Sequence, residues 1–105
     1  MVLFETFKEL DIRIGRVIGA ERVYDSDKLI KLSVDLGTET KTIVAGIGKA
    51  YAPENLINQE IAVIANLEPR VLMGIESQGM LLAANDNGPV LLRPEREVPP
   101  GSKIS

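Results

Sequence analysis

Ile30-Lys31-Leu32-Ser33-Val34-Asp35-Leu36 alternates apolar and polar side chains without a break, and Gly37-Thr38-Glu39 follows at once as a turn. Successive side chains of a strand point to opposite faces, so this stretch reads as a half-buried strand with Ile30, Leu32, Val34 and Leu36 inward. The turn sends the chain back. Lys41 to Ile47 is then its antiparallel partner, with Ile43, Ala45 and Ile47 in phase and Gly46 and Gly48 loosening the pattern at its end.

The same reading extends in both directions. Upstream, Ile12 and Ile14 alternate with Arg13, and after Gly15 the apolar phase passes to Val17, as a bulge or sharp bend at Gly15 would produce. Phe4, Phe7 and Leu10, spaced by three with Glu5, Lys8 and Glu9 between them, predict a short amphipathic helix ending near Asp11. Downstream, Pro53-Glu54-Asn55-Leu56 places proline where a first helical turn tolerates it. Ile61 to Ala65 is apolar on both faces and predicts a central strand. Met80 to Ala84 runs into the turn Asn85-Asp86-Asn87-Gly88, and Val90-Leu91-Leu92 continues beyond it. Short strands with little helix define an all-β chain with short helices, a five-stranded antiparallel barrel of the OB type plus a C-terminal strand extension. Pro99-Pro100-Gly101 reads as a stiff connection near the end of the ordered chain.

Length and composition bound the rest. At 105 residues, residues 1–105 form one domain, and apolar runs far shorter than a bilayer span exclude a membrane helix. The start Met1-Val2-Leu3-Phe4-Glu5 has no basic, apolar leader, so a cytoplasmic location is expected. Cysteine and histidine are both absent. That removes Ser-His-Asp and Cys-His nucleophile pairs and the usual zinc sites together, and it points away from an enzyme. Asp25 and Asp27 sit two apart without the ligand-rich loop of a calcium hand and read as a solvated turn, so no metal and no cofactor is expected. Gly46 and Gly48 lack the third glycine and helix opening of a phosphate loop.

One segment is too apolar for an idle loop. From Asn66 to Leu82 the chain carries Leu72, Met73, Ile75 and Met80 among glycines, a serine and Arg70, its one cation, set against Glu68 and Glu76. Arg13, Arg16, Lys31 and Lys41 lie on strands nearby in the pattern. If they face outward together with Arg70, a modest basic groove results; otherwise they are scattered solvated charges. Met73, beside Gly74, is the better surface candidate, while Met80 opens a strand and suits the core at least as well. Ser77 fits a turn-stabilising hydrogen bond as well as a nucleic-acid contact. Aromatic residues are only 4%, so base stacking is not the main mechanism, and Tyr24 and Tyr51 are the only candidate platforms.

Asp11-Ile12-Arg13-Ile14-Gly15, Ser26-Asp27-Lys28-Leu29, Val34-Asp35-Leu36-Gly37, Ile43-Val44-Ala45-Gly46-Ile47, Tyr51-Ala52-Pro53-Glu54-Asn55-Leu56, Asn66-Leu67 and Gly74-Ile75-Glu76-Ser77-Gln78-Gly79-Met80 occur in one order. In this the chain resembles the tRNA-binding domain family, the OB-fold module at the C-terminus of many methionyl-tRNA synthetases and of freestanding dimeric tRNA-binding proteins. The resemblance implies a non-catalytic protein that grips tRNA by shape, with an aminoacyl-tRNA synthetase as a further partner. It also implies that this chain is a homodimeric freestanding member or a small synthetase-associated subunit. Carried over by position, Asn66, Ser77 and Met80 match the family's binding side, with Arg70 and Met73 in the same loop. Where members commonly carry His-Pro before Asp-Lys-Leu, and extra lysines after Asn-Leu, this chain holds Val23-Tyr24, Glu68 and Val71.

A second expectation belongs to a different class. Related barrels include an export-associated chaperone, and an apolar loop on a chain of net charge −3 fits a peptide- or protein-binding module. Phe4, Phe7 and the strands past Leu92 predict apolar surface left over for an isologous homodimer built from the terminal segments.

Overall fold

The computed structural model describes residues 1–105. Ten strands follow the short helix α1 (Phe4–Lys8): β1 (Ile12–Arg22), β2 (Ile30–Asp35), β3 (Thr40–Ala45), β4 (Glu60–Ile64), β5 (Arg70–Leu72), β6 (Ile75–Ser77), β7 (Met80–Leu81), β8 (Ala83–Asn85), β9 (Pro89–Leu91) and β10 (Lys103–Ile104). A 3-10 turn at Pro53–Asn55 fills the place where the proline predicted a helix.

The barrel runs in the order β3-β2-β1-β4-β7, all neighbours antiparallel. Its inner residues include Val17, Ile30, Leu32, Val34, Leu36, Ile43, Ile61 and Val63, each no more than 1% exposed. Those of β2, Ile30, Leu32 and Val34, are three of the four that alternation marks, and the fourth, Leu36, is buried just past the strand's end. β4 is buried along its whole length, as a strand apolar on both faces requires. The last gap, between β3 and the β6–β7 region, is bridged by one backbone hydrogen bond and two side chains. Gln78 N–H donates to the Thr42 carbonyl at 2.7 Å. Thr42 N–H donates to Gln78 Oε1 at 2.8 Å, and Val44 N–H donates to Ser77 Oγ at 2.9 Å. The result is a nearly closed five-stranded barrel of OB type.

Three sequence expectations change. The register shift in β1 lies between Val17 and Gly19, at the exposed Ile18, while Gly15 stays in continuous register with Ile61 of β4. Gly15 is instead demanded by close approach, because a Cβ there would collide with Val34 Cγ1 and stand 3.0 Å from Leu36 Cδ2. Secondly, α1 ends at Lys8 and buries none of its residues, so the Phe4–Leu10 stripe does not serve this chain's core. Thirdly, the tail is more than a connection. Gly101, at φ +90°, donates its N–H to the Ile14 carbonyl at 2.7 Å, Ile14 N–H donates to Ser102 O at 2.8 Å, and β10 pairs with Ile12 and Arg13. A side chain at Gly101 would strike the Leu36 carbonyl, so only glycine lets the tail cross there.

Candidate nucleic-acid interface

β5 and β6 form a hairpin in which Arg70 pairs with Ser77, Val71 with Glu76 and Leu72 with Ile75. Its two turn residues, Met73 at φ +48° and Gly74 at φ +79°, have the left-handed backbone that two-residue hairpins need. No atom lies within 4 Å of where a Gly74 Cβ would be, so the tip stands clear of the barrel. Alternation turns Leu72, Ile75 and Ser77 toward β3 and leaves Val71 and Glu76 outward. Val71, Met73 and Met80 are 69%, 56% and 42% exposed, and a small cleft between hairpin and barrel is lined by Val44, Leu67, Leu72 and Met80 together with Glu68 and Arg70. Arg70 makes no salt bridge and no side-chain hydrogen bond, so its guanidinium is available at the edge of this apolar surface.

Ser77 and Asn66 behave otherwise. Ser77 is 4% exposed; its hydroxyl accepts from Val44 N–H and donates to Gly79 O at 3.0 Å, so both hydrogen-bonding directions are spent inside the fold. Asn66 is exposed, but its Oδ1 accepts from Asp11 N–H at 2.8 Å and its Nδ2 donates to Glu9 O at 2.7 Å. It clamps the end of the α1 segment to the exit of β4. The Ser77 hydroxyl stabilises the turn and the seam.

Around Asn66 a basic rim closes the same end of the barrel. Arg13 Nε donates to Asp11 Oδ1 at 2.9 Å, and Lys41 Nζ donates to the Ala65 carbonyl at 2.6 Å. The Arg13 hydrogen bond holds the Asp11 carboxyl below its ordinary value against the opposing effect of burial, and the charges of Arg13, Lys103 and Lys41 add smaller effects in the lowering direction. Asp11 in turn raises Arg13. Lys103 belongs to this rim because β10 sets it beside Arg13, a placement that no local pattern in the sequence carries.

The single groove that would unite Arg13, Arg16, Lys31, Lys41 and Arg70 does not form. Arg16 lies three residues along β1 from Arg13 and hence on the other face, where it stands 3.5 Å from both Glu60 Oε2 and Glu97 Oε1. Lys31 faces outward opposite Glu21, at 3.7 Å. It is three residues from Val34, the partner of Lys41, so it is on the opposite face from Lys41 and about 10 Å along the strand. Tyr51 is half-buried against the core, its hydroxyl accepting from Leu91 N–H at 3.1 Å, whereas Tyr24 is 93% exposed. Gln78, which no motif singled out as functional, proves to be a seam residue.

A barrel of OB type with a protruding apolar hairpin and a cationic rim at one end defines a compact binding module. Residues 12–103 match the family described as "Putative tRNA binding domain", and the chain belongs to that family. It is 53% identical over 105 residues to a methionine–tRNA ligase of Methanothrix thermoacetophila and 50% identical over 105 residues to that of Thermotoga maritima. Each match covers 99% of this chain but only 16% and 17% of the ligase, respectively. Among solved structures, a MetRS related protein from Pyrococcus horikoshii superposes with a TM-score of 0.91 at 38% identity, covering the whole of both chains. The chaperone CsaA of Bacillus anthracis superposes with a TM-score of 0.91 at 39% identity, covering 100% of this chain and 99% of the other. The chain is thus a tRNA-binding domain related to the C-terminus of methionyl-tRNA ligases. No helix in it is long and apolar enough to cross a membrane.

Proposed function

We propose that this chain is a non-catalytic, cytoplasmic tRNA-binding protein that recognises shape and phosphate and assists a methionyl-tRNA synthetase as a β-subunit-like or accessory component. The observation that carries this reading is the unpaired Arg70 on an exposed hairpin beside the Arg13, Lys41 and Lys103 rim. Arg13, Lys41 and Arg70 would meet phosphates, and Met73 and Met80 would pack against sugar and base edges as adaptable apolar contacts. Asn66 and Ser77 contribute by holding the surface in place. Lys31, tied to Glu21, lies at the margin.

A gel-shift titration of bulk tRNA against an RNA duplex of equal length, repeated across salt, tests this. Retardation of tRNA at lower protein concentration than duplex, with affinity falling as salt rises, is the expected result; no retardation even at low salt overturns it.

A second reading is favoured by the exposed Leu67, Val71, Met73 and Met80 together with the likeness to a chaperone. In it the hairpin holds an extended apolar peptide. Suppression of aggregation of an unfolded client, with no tRNA retardation, would select it. In either reading we propose an isologous homodimer through Phe4, Phe7, Leu10 and Ile104, whose side chains line an apolar hollow that this chain does not fill. A monomer mass in light scattering at micromolar concentration would reject that.

A further inference from the structure

The connection between β1 and β2, residues 23–29, is fastened along its whole length. Val23 N–H donates to the Leu29 carbonyl at 3.0 Å and Ser26 N–H to the Val23 carbonyl at 3.1 Å, while Ser26 Oγ accepts from Leu29 N–H at 3.0 Å. The loop is also tied to the exit of β3. Arg22 Nη1 donates to the Gly48 carbonyl at 2.8 Å, and Gly48 N–H donates to the Lys28 carbonyl at 2.7 Å. A Cβ at Gly48 would stand 2.7 Å from that same Lys28 carbonyl, so the two segments meet closely only because glycine is there. None of these bonds involves the side chain of Tyr24, which after Met1 is the most exposed large apolar side chain of the protein. A rigid loop thus holds an aromatic ring in water for no purpose of the fold.

The surroundings of the ring narrow what it meets. Asp25 follows it directly and makes no salt bridge, which disfavours a phosphate on Tyr24 itself. Val23 is buried, so the ring is no part of an apolar patch that a protein surface would cover. A flat neutral partner that uses one face of the ring remains, and a nucleobase is such a partner. The loop also adjoins the hairpin. The Lys28 side chain runs across exposed Gly46, its Cε 2.9 Å from where a Cβ would stand, and it makes no salt bridge. Gly46 is two residues, about 7 Å, along the chain from Val44, whose N–H is held by Ser77 of β6. RNA held at Arg70 therefore has the loop within reach. Inside a duplex both faces of a base are covered by its neighbours, so the ring can take only an unpaired base.

We propose that Tyr24 is a stacking platform for an unpaired base of the bound RNA, adding single-strand selectivity to a surface that otherwise grips shape and phosphate. This rests on the tRNA reading above and supplies a residue that separates tRNA from a plain duplex. The test titrates the full chain with one tRNA transcript and with an RNA duplex of equal length, across salt. Tyr24→Ala should weaken tRNA binding about tenfold and leave duplex binding as it was. Its salt slope should not change, because a neutral ring releases no counterions, whereas Lys28→Ala should make the slope shallower by roughly 0.7. Tyr24→Phe keeps the ring and should stay within about twofold of the unaltered chain. The unfolding midpoint of Tyr24→Ala should not move, since the fold makes no use of the side chain. Unchanged tRNA affinity of Tyr24→Ala overturns the platform while leaving tRNA binding intact. An equal loss for tRNA and duplex, or a loss in Tyr24→Phe as large as in Tyr24→Ala, overturns it as well. Failure of the unaltered chain to bind the transcript overturns both readings.

Discussion

Two sets of residues from the same segment, Asn66 to Met80, are used in opposite ways. Asn66, Ser77 and Gln78 have their polar atoms engaged by backbone from elsewhere in the chain, at 2.7–3.0 Å. Arg70, Val71, Met73 and Met80 present side chains that the fold does not use. The conspicuous motif of this segment is thus partly a set of fasteners. The fasteners hold a hairpin whose own three-residue strands would be marginal in isolation. The exposed side chains can then sit on a rigid base.

The sharpest way to break this division is Ser77→Ala. Removing the hydroxyl leaves Val44 N–H unsatisfied in a buried seam, and a loss of about 2 kcal/mol in stability is expected, read as a lower denaturation midpoint. If stability is unchanged and tRNA binding is lost, the serine is a contact residue and the division fails. Arg70→Glu should do the reverse. With no partner in the chain, its substitution should leave the unfolding midpoint within about 0.5 kcal/mol. tRNA affinity should fall roughly tenfold with a shallower salt slope, as measured by anisotropy titration.

Asn66→Ala is intermediate. It forfeits two exposed hydrogen bonds, to Asp11 and from Nδ2 to Glu9, so about 1 kcal/mol is expected. Amide exchange should quicken first in the α1 segment rather than in the barrel. The smallest effect belongs to Asp11. Its folded value lies below the unfolded one, so its contribution is present above the ordinary carboxylate range and is lost as pH falls through the lowered value. For a partly exposed pair this is about 0.5 kcal/mol. Asp11→Asn should therefore flatten the stability curve below about pH 4, as followed by thermal melts from neutral to acid pH.

How much of this was legible in the sequence depends on how far each residue's partner lies along the chain. Ile30 to Leu36 declared its inner face because period-two alternation is local, and β4 declared its central place because both faces are apolar. The phase change at Gly15 has another cause than a bend: Ile12 and Ile14 are covered on the outer face while Gly15 yields to Val34 on the inner one. The rim was half visible. Arg13 and Lys41 stand in recognisable strands, whereas Lys103 joins them only through the pairing of β10 with β1. Arg16 is close to Arg13 in sequence, but three residues of strand put it on the other side, against Glu60 and Glu97. Nothing local in Glu60-Ile61-Ala62 announces that the glutamate is buried; that follows from Val98 and the returning C-terminal segment.

A titration of the isotopically labelled chain with a tRNA transcript, followed by NMR, tests the account most directly. The Met73 and Met80 methyls and the Arg70 side chain should shift in proportion to tRNA added, while the Asn66 side-chain amide and the Ser77 backbone stay in place. Shifts centred on Asn66 and Ser77 with Arg70 and Met73 unmoved, or no shifts at all, would contradict it.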